Sequence, residues 1–176
     1  DTVKASSRQA ISELQQLGVK TIMLTGDNAH TARAIAAEVG ISEVNGDLLP
    51  EDKLKVIESQ LSKTGRVGMV GDGINDAPAL ARADIGFAMA AAGTGTAIET
   101  ADIAIMDDDL RKLPQFIRLS QQTHSILLQN IVFALGIKLI FFTLTLAGSG
   151  TMWMAVFADV GASLLVVANG MRLLRA

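Results

Sequence analysis

The run Met69-Val70-Gly71-Asp72-Gly73-Ile74-Asn75-Asp76-Ala77-Pro78-Ala79-Leu80 concentrates more chemistry than any other stretch of this sequence. Val67, Met69 and Val70 read as a buried strand, and Ala77-Pro78-Ala79-Leu80 opens a helix. Between them lie two glycines, two aspartates and an asparagine. Open α/β sheets bind ligands beyond the C-terminal ends of their strands. Gly71 and Gly73 let the backbone turn sharply and approach a ligand closely. Asp72 and Asp76 are hard oxygen ligands, spaced to hold Mg²⁺ together with a phosphate. The competing reading is a plain βα loop in which Asp76 only caps the helix. The intact Asp-Gly-x-Asn-Asp pattern at the end of an apolar strand favours chemistry.

Other polar groups fall at equivalent places. Thr25-Gly26-Asp27 follows the apolar strand Thr21–Leu24. Lys53 sits in the first turn of a helix opened by Pro50, whose missing N–H costs nothing there. Glu51 and Asp52 suit that helix start electrostatically, but a cation does not, and Lys53 therefore needs another reason to be there. Together these groups make a phosphate site. Thr25 can donate its hydroxyl and backbone N–H to phosphate oxygens, Lys53 can neutralise a phosphoryl group, Asp72 and Asp76 can hold Mg²⁺, and Asn75 can bond a further oxygen. Positioning and charge stabilisation are most of what phosphoryl transfer needs. A clear nucleophile on a strand tip is missing.

The elements that carry these residues alternate. Ser6–Leu17 has apolar residues at helical spacing (Ala10, Ile11, Leu14, Leu17) and stops at Gly18; a second helix over Ala29–Val39 stops at Gly40. Ile41–Leu49 is a mixed connection with room for a short strand. The helix from Pro50 runs to about Lys63 and closes at Gly65. After the helix at Asp76–Ala83 come apolar runs at Ile85–Met89 and Ile103–Met106, with a helical turn before the second. This alternation predicts an α/β fold with a parallel, doubly wound sheet.

The chain has 176 residues and a net charge of −3, which gives no reason to expect nucleic acid as a partner. It has no cysteine, hence no disulfide framework and no thiolate metal site. Its hydrophobic fraction of 49% is unevenly spread. Charges almost vanish after about residue 125. Asn130–Ala147 and Met152–Ala168 are each about long enough to cross a bilayer and are interrupted only by Lys138 and Asp159. Arg111, Lys112 and Arg118 precede the first span, Arg172 and Arg175 follow the second, and Gly148-Ser149-Gly150-Thr151 between them is uncharged. The positive-inside rule puts both ends in the cytoplasm. A charge in mid-bilayer costs about 3 kcal/mol on insertion scales, so Lys138 and Asp159 mark an ion path; a mutually neutralising structural pair is the alternative. The divisions expected are residues 1–112 as a soluble part, 113–129 as a stalk helix, 130–147 and 152–168 as transmembrane helices, 148–151 as an outer loop and 169–176 as a cytoplasmic tail. The polar opening Asp1-Thr2-Val3-Lys4 carries no signal peptide and reads as the middle of a larger domain, so the chain is expected to be a fragment.

Thr25-Gly26-Asp27-Asn28, Pro50-Glu51-Asp52-Lys53 and the run around Asp72 closely resemble the P-type ATPases, whose phosphorylation domain is haloacid-dehalogenase-like. The resemblance covers essentially the whole chain and implies the C-terminal part of that domain, as a partial Rossmann-type parallel sheet, followed by a two-helix transmembrane hairpin. It implies that Thr25, Gly26 and Asp27 form a phosphate loop and that Lys53 contacts an aspartyl phosphate. By the same resemblance Asp72 holds Mg²⁺, with Asn75 and Asp76 supporting the phosphoryl group and metal. Lys138 and Asp159-Val160-Gly161 resemble the zinc/cadmium/lead-transporting group, in which the aspartate is a ligand of the transported ion and the lysine its partner. Ending after two helices, and the Ala91–Glu99 stretch, are similar to heavy-metal pumps. The implied function is ATP-driven export of Zn²⁺, Cd²⁺ or Pb²⁺ across the cell membrane. Copper pumps carry Asn-Tyr and Met/Ser signatures that are absent here. The phosphorylated aspartate, the ATP-binding domain and a Cys-Pro-Cys-type helix are also absent and would belong to a missing N-terminal part. This chain alone is therefore expected to be inactive. A copper-type pump, a membrane-anchored phosphatase of the same superfamily and a non-catalytic membrane hairpin are the alternatives.

Overall fold

Glycines and prolines set the element boundaries seen in the computed structural model, which describes residues 3–72, 74–90 and 95–175, without side chains at Ile74 and Arg175. Gly73, Ala91–Thr94 and the Arg175 side chain, all used in the sequence reading, lie outside the described residues. The chain divides into two compact units, Asp1–Pro114 and Gln115–Ala176.

The first unit alternates helices α1 (Ala5–Gln16), α2 (Ala29–Val39), α3 (Pro50–Thr64), α4 (Ala77–Arg82) and α5 (Gly95–Thr100) with strands β1 (Ile22–Leu24), β2 (Glu43–Asn45), β3 (Gly68–Gly71), β4 (Ile85–Met89) and β5 (Ile103–Ile105). A 3₁₀ turn, Ile74–Asp76, leads into α4. Gly40 and Gly65 cap α2 and α3 at φ of 85° and 70°, the left-handed region where a Cβ is costly. Asn28 caps the start of α2 by accepting from the Thr31 N–H at 2.9 Å. Every strand pairing is parallel, as the sequence predicts, but the expected single sheet is two ladders: β1–β2 and β3–β4–β5. Among the described residues, β1 and β3 each keep one edge without a strand partner.

Parallel strands covered on both faces must be apolar, and the core follows. Ile57, Met69, Ala79, Leu80, Ala88 and Ala97 form one buried cluster, with Leu24 of β1 packed against it. Two carboxylates secure strand starts: Asp84 accepts from the Val67 N–H at 2.7 Å and Asp102 from the Gly86 N–H at 2.8 Å.

The second unit holds most of α6 (Lys112–Leu146), then α7 (Met152–Gly170) and a 3₁₀ turn, Met171–Arg175. Helix α6 starts two residues before Pro114, because a proline fits anywhere in a first turn whose N–H groups have no helical partner. Asp109 begins this helix. Its carbonyl accepts from the Lys112 N–H at 3.0 Å, and its carboxylate grips the Arg111 guanidinium at 2.6–3.0 Å. That hydrogen bonding holds the Asp109 carboxyl at about 2. Both helices are long and apolar enough to cross a membrane, with mean hydropathy 2.0 and 1.6 over an apolar stretch of 18 residues in Lys112–Leu146 and Met152–Leu174. Within α6 the less exposed positions Asn130, Ala134, Ile137, Phe141 and Leu144 repeat at four- and three-residue steps; in α7 they are Ala158, Ala162, Val166 and Asn169. That spacing marks one seam on each helix.

Leu80 is 1% exposed at the centre of the first unit's core. Leu80→Ala is expected to cost about 2–5 kcal/mol through lost burial and a residual cavity. The shift in the urea midpoint of the α/β unit, followed by circular dichroism, measures it.

Candidate functional site

Lys53 and Asp76, 23 residues apart, meet in the first unit: Lys53 Nζ donates to Asp76 Oδ1 at 2.8 Å. Both side chains are largely withdrawn from water, at 14% and 11% exposure, and Asp76 is the buried charged residue among those described. Asp76 makes no side-chain cap at the start of α4, so the capping reading fails. A charge this far from water needs a partner, and the lysine supplies it. This also answers why a cation stands in the first turn of α3: the neighbouring Asp52 accepts the Leu49 N–H at 3.3 Å and Lys55 Nζ at 2.9 Å, while Lys53 reaches across to Asp76. The Lys55 hydrogen bond holds the Asp52 carboxyl below its usual range.

Gly71 has a reason that differs from the expected freedom to turn. A Cβ built at Gly71 would stand 2.6 Å from Asp76 Cβ and 3.0 Å from its Oδ2. Only glycine leaves room for the aspartate to fold back beside the strand that precedes it. Asp72, next in the chain, is exposed at the C-terminal end of β3, and Asn75 is exposed in the 3₁₀ turn.

The Thr25 loop is tied to the same end of the unit. Thr25 N–H donates to the Asn45 carbonyl at 3.0 Å and Leu48 N–H to the Thr25 carbonyl at 3.1 Å. The Thr25 N–H is therefore engaged, contrary to its expected use on phosphate. The Thr25 hydroxyl oxygen accepts from the Asp27 N–H at 3.1 Å, which leaves its own proton to donate. Gly26, Asp27 and Asn28 are exposed. Residues 45–48 thus brace the Thr25 loop, and residues 49–53 carry the chain on to Lys53.

The sequence reading missed the residues that form this brace. Asp47, at φ 56°, accepts from the Ala29 N–H at 3.1 Å and donates its own N–H to the Asp27 carbonyl at 2.7 Å. Gly46 lies so close that a Cβ there would meet Ala29 Cα at 2.7 Å. The Asn45-Gly46-Asp47 tripeptide is a turn signal that could have drawn notice.

Among the described residues no three His, Cys, Asp or Glu side chains cluster to hold a metal. Mg²⁺ does not need three, because it is held through one or two carboxylates, waters and phosphate oxygens. Exposed Asp72, next to the Gly71 against which Asp76 folds, fits that requirement.

The second unit has its own candidate site. Lys138 and Asp159 line one cleft of about 420 Å³ between α6 and α7, with Thr145, Ser163 and small Ala134, Ala158 and Ala162 in its walls. Among the described residues, no ion pair joins Lys138 and Asp159. His124 is exposed in α6, and Asn130 takes part in a contact between the two helices that is described below.

Comparison with known proteins bears on the chain as a whole. The family described as haloacid dehalogenase-like hydrolase matches residues 1–84. A probable cadmium-transporting ATPase of Listeria monocytogenes is 56% identical over 99% of this chain and 25% of its own length. A zinc/cadmium/lead-transporting P-type ATPase of Escherichia coli K12 is 52% identical over 99% of this chain and 24% of its own. The chain therefore spans about a quarter of the length of the curated relatives it matches. The crystal structure of a zinc-transporting PIB-type ATPase in its E2.Pi state superimposes with a TM-score of 0.92, at 52% identity, covering 99% of this chain and 28% of that one. A phosphatase from Haemophilus influenzae shares the fold alone, at 20% identity and a TM-score of 0.60. With its haloacid-dehalogenase-like unit, its apolar hairpin and this identity along nearly its whole length, the chain is similar throughout to one stretch of the heavy-metal P-type ATPases.

Proposed function

We propose that this chain is part of an ATP-driven pump that exports a divalent heavy-metal ion, Zn²⁺, Cd²⁺ or Pb²⁺, through an aspartyl-phosphate intermediate. The observation that carries the reading is the cleft between α6 and α7, which Lys138 of α6 and Asp159 of α7 both line. Charges at such depth are costly and are kept for function. A carboxylate suits several divalent ions. The lysine, a point charge on a flexible stem, neutralises that carboxylate when the ion is away and is repelled when it arrives. The similarity to cadmium-transporting and zinc/cadmium/lead-transporting ATPases supports this assignment of the cargo.

In the first unit Thr25, Gly26 and Asp27 would hold phosphate oxygens, Lys53 would neutralise the phosphoryl group and Asn75 would bond a further oxygen. Asp72 and Asp76 would hold Mg²⁺, which when bound spreads and stabilises the charge of the transferring phosphoryl group. Asp76 also keeps Lys53 aimed at the site, as their 2.8 Å contact indicates. The nucleophilic aspartate and the ATP-binding domain would come from the part of the protein outside this sequence. The unpaired edges of β1 and β3, whose Leu24 and Met69 share one core, suit a strand inserted between them to carry that aspartate. Flanking basic residues support a cytoplasmic position for residues 1–112, the stalk 113–129 and the tail 169–176. The spans would be 130–147 and 152–168, with 148–151 outside.

Two outcomes test this in the full-length protein. Asp159→Ala is expected to abolish stimulation of ATP hydrolysis by zinc while leaving phosphorylation by inorganic phosphate intact; undiminished zinc stimulation would sink the ion assignment. Gly71→Ala, which drives a methyl into Asp76, is expected to lower zinc-stimulated turnover about 10²-fold, close to the loss from Lys53→Ala, as for removal of one preorganised electrostatic group. Steady-state hydrolysis at saturating zinc reads both, and wild-type turnover in Gly71→Ala would remove the role given to the Lys53–Asp76 pair.

A further inference from the structure

One polar contact joins the two hairpin helices away from the cleft. Asn169, at the end of α7, donates from Nδ2 to Asn130 Oδ1 at 2.9 Å and to Gln129 Oε1 at 3.3 Å. Its Oδ1 accepts from Arg172 Nη1 at 3.0 Å. An arginine offers only donors, so this bond fixes which end of the Asn169 amide faces α6. Beyond the two asparagines the seam is small or apolar: Ala134, Ile137 and Phe141 against Ala158, Ala162 and Val166. Such a seam sets its register weakly, whereas a polar pair inside an apolar seam specifies one register.

The register decides where the charges point. A helix advances about 1.5 Å and about 100° per residue. Lys138 follows Asn130 by eight residues, about 12 Å along α6 and about 80° around it. Asp159 precedes Asn169 by ten, about 15 Å along α7 in the same direction and about 80° around in the opposite sense. With the two amides face to face, Lys138 and Asp159 therefore turn onto the same flank of the hairpin, the flank that holds the cleft.

We propose that Asn130 and Asn169, with Gln129 and Arg172, form a register latch that positions Lys138 against Asp159. The latch itself rests on contact geometry; its consequence for transport rests on the pump reading above. In the full-length pump, Asn130→Ala and Asn169→Ala are each expected to raise the zinc concentration for half-maximal ATPase about three- to tenfold, with the KM for ATP unchanged. The double variant is expected to be no worse than Asn169→Ala, because that variant already removes the Asn130 bond together with the Gln129 bond. Asn130→Asp, which keeps the acceptor, is expected to stay near wild type. Unaltered zinc dependence in both alanine variants, or effects that multiply in the double variant, would overturn the latch. A second readout does not depend on transport: spin labels carried by unnatural residues at lipid-facing Leu135 and Val167 report the interhelical distance. The distance distribution should broaden in Asn169→Ala and not in Asn130→Asp, and an unchanged distribution would overturn the latch. A wild-type protein that zinc fails to stimulate would instead remove the pump reading, leaving the label distances to judge the latch.

Discussion

The ion pair between Lys53 and Asp76 is the contact on which the first unit's candidate site depends. Two charges taken from water are tolerable only when each holds the other, and removing one partner strands its mate. Several sequence oddities follow from that constraint. Asp76 cannot cap α4, so a 3₁₀ turn and Pro78 in the first helical turn start that helix instead. Position 71 can bear no side chain, because Asp76 occupies the space a Cβ would need. Lys53 stands against the dipole of α3, a small cost that Glu51 and Asp52 in the same turn offset.

The pair would be of little use if the rest of the site drifted. Asp47 prevents this for the Thr25 loop, binding the Ala29 N–H and the Asp27 carbonyl at once while Leu48 holds the Thr25 carbonyl. These are mostly backbone contacts, which lose no rotamer freedom when a ligand arrives. A site whose dipoles are already in place is what electrostatic stabilisation of a phosphoryl group requires.

How much of this was legible in the sequence depends on distance along the chain. Helix α2 runs over Ala29–Val39 as its apolar spacing predicts, and Gly40 and Gly65 stop helices where φ must be positive. Those signals are local. The partnership of Lys53 with Asp76 was not legible, because a span of 23 residues carries no periodicity; only the misplaced cation at a helix start hinted at it. The division of the sheet into two ladders was hidden for a similar reason, since strand order is a matter of tertiary pairing. Asn169 escaped notice because an asparagine close to a helix end is commonplace, and its partners lie 39 and 40 residues away.

The two lysine–aspartate combinations differ in a way that matches the roles proposed for them. Lys53 and Asp76 are in contact and nearly dry; a closed pair of this kind holds geometry, and opening it would strand a buried charge. Lys138 and Asp159 share a cleft of about 420 Å³ without an ion pair between them. A carboxylate so placed keeps its oxygens available, and the lysine lines the same cleft. The first arrangement would be poor at exchanging partners and the second poor at fixing a register. That division of labour fits a register set elsewhere, by neutral amides at Asn130 and Asn169, which can hold two helices together without competing for a cation.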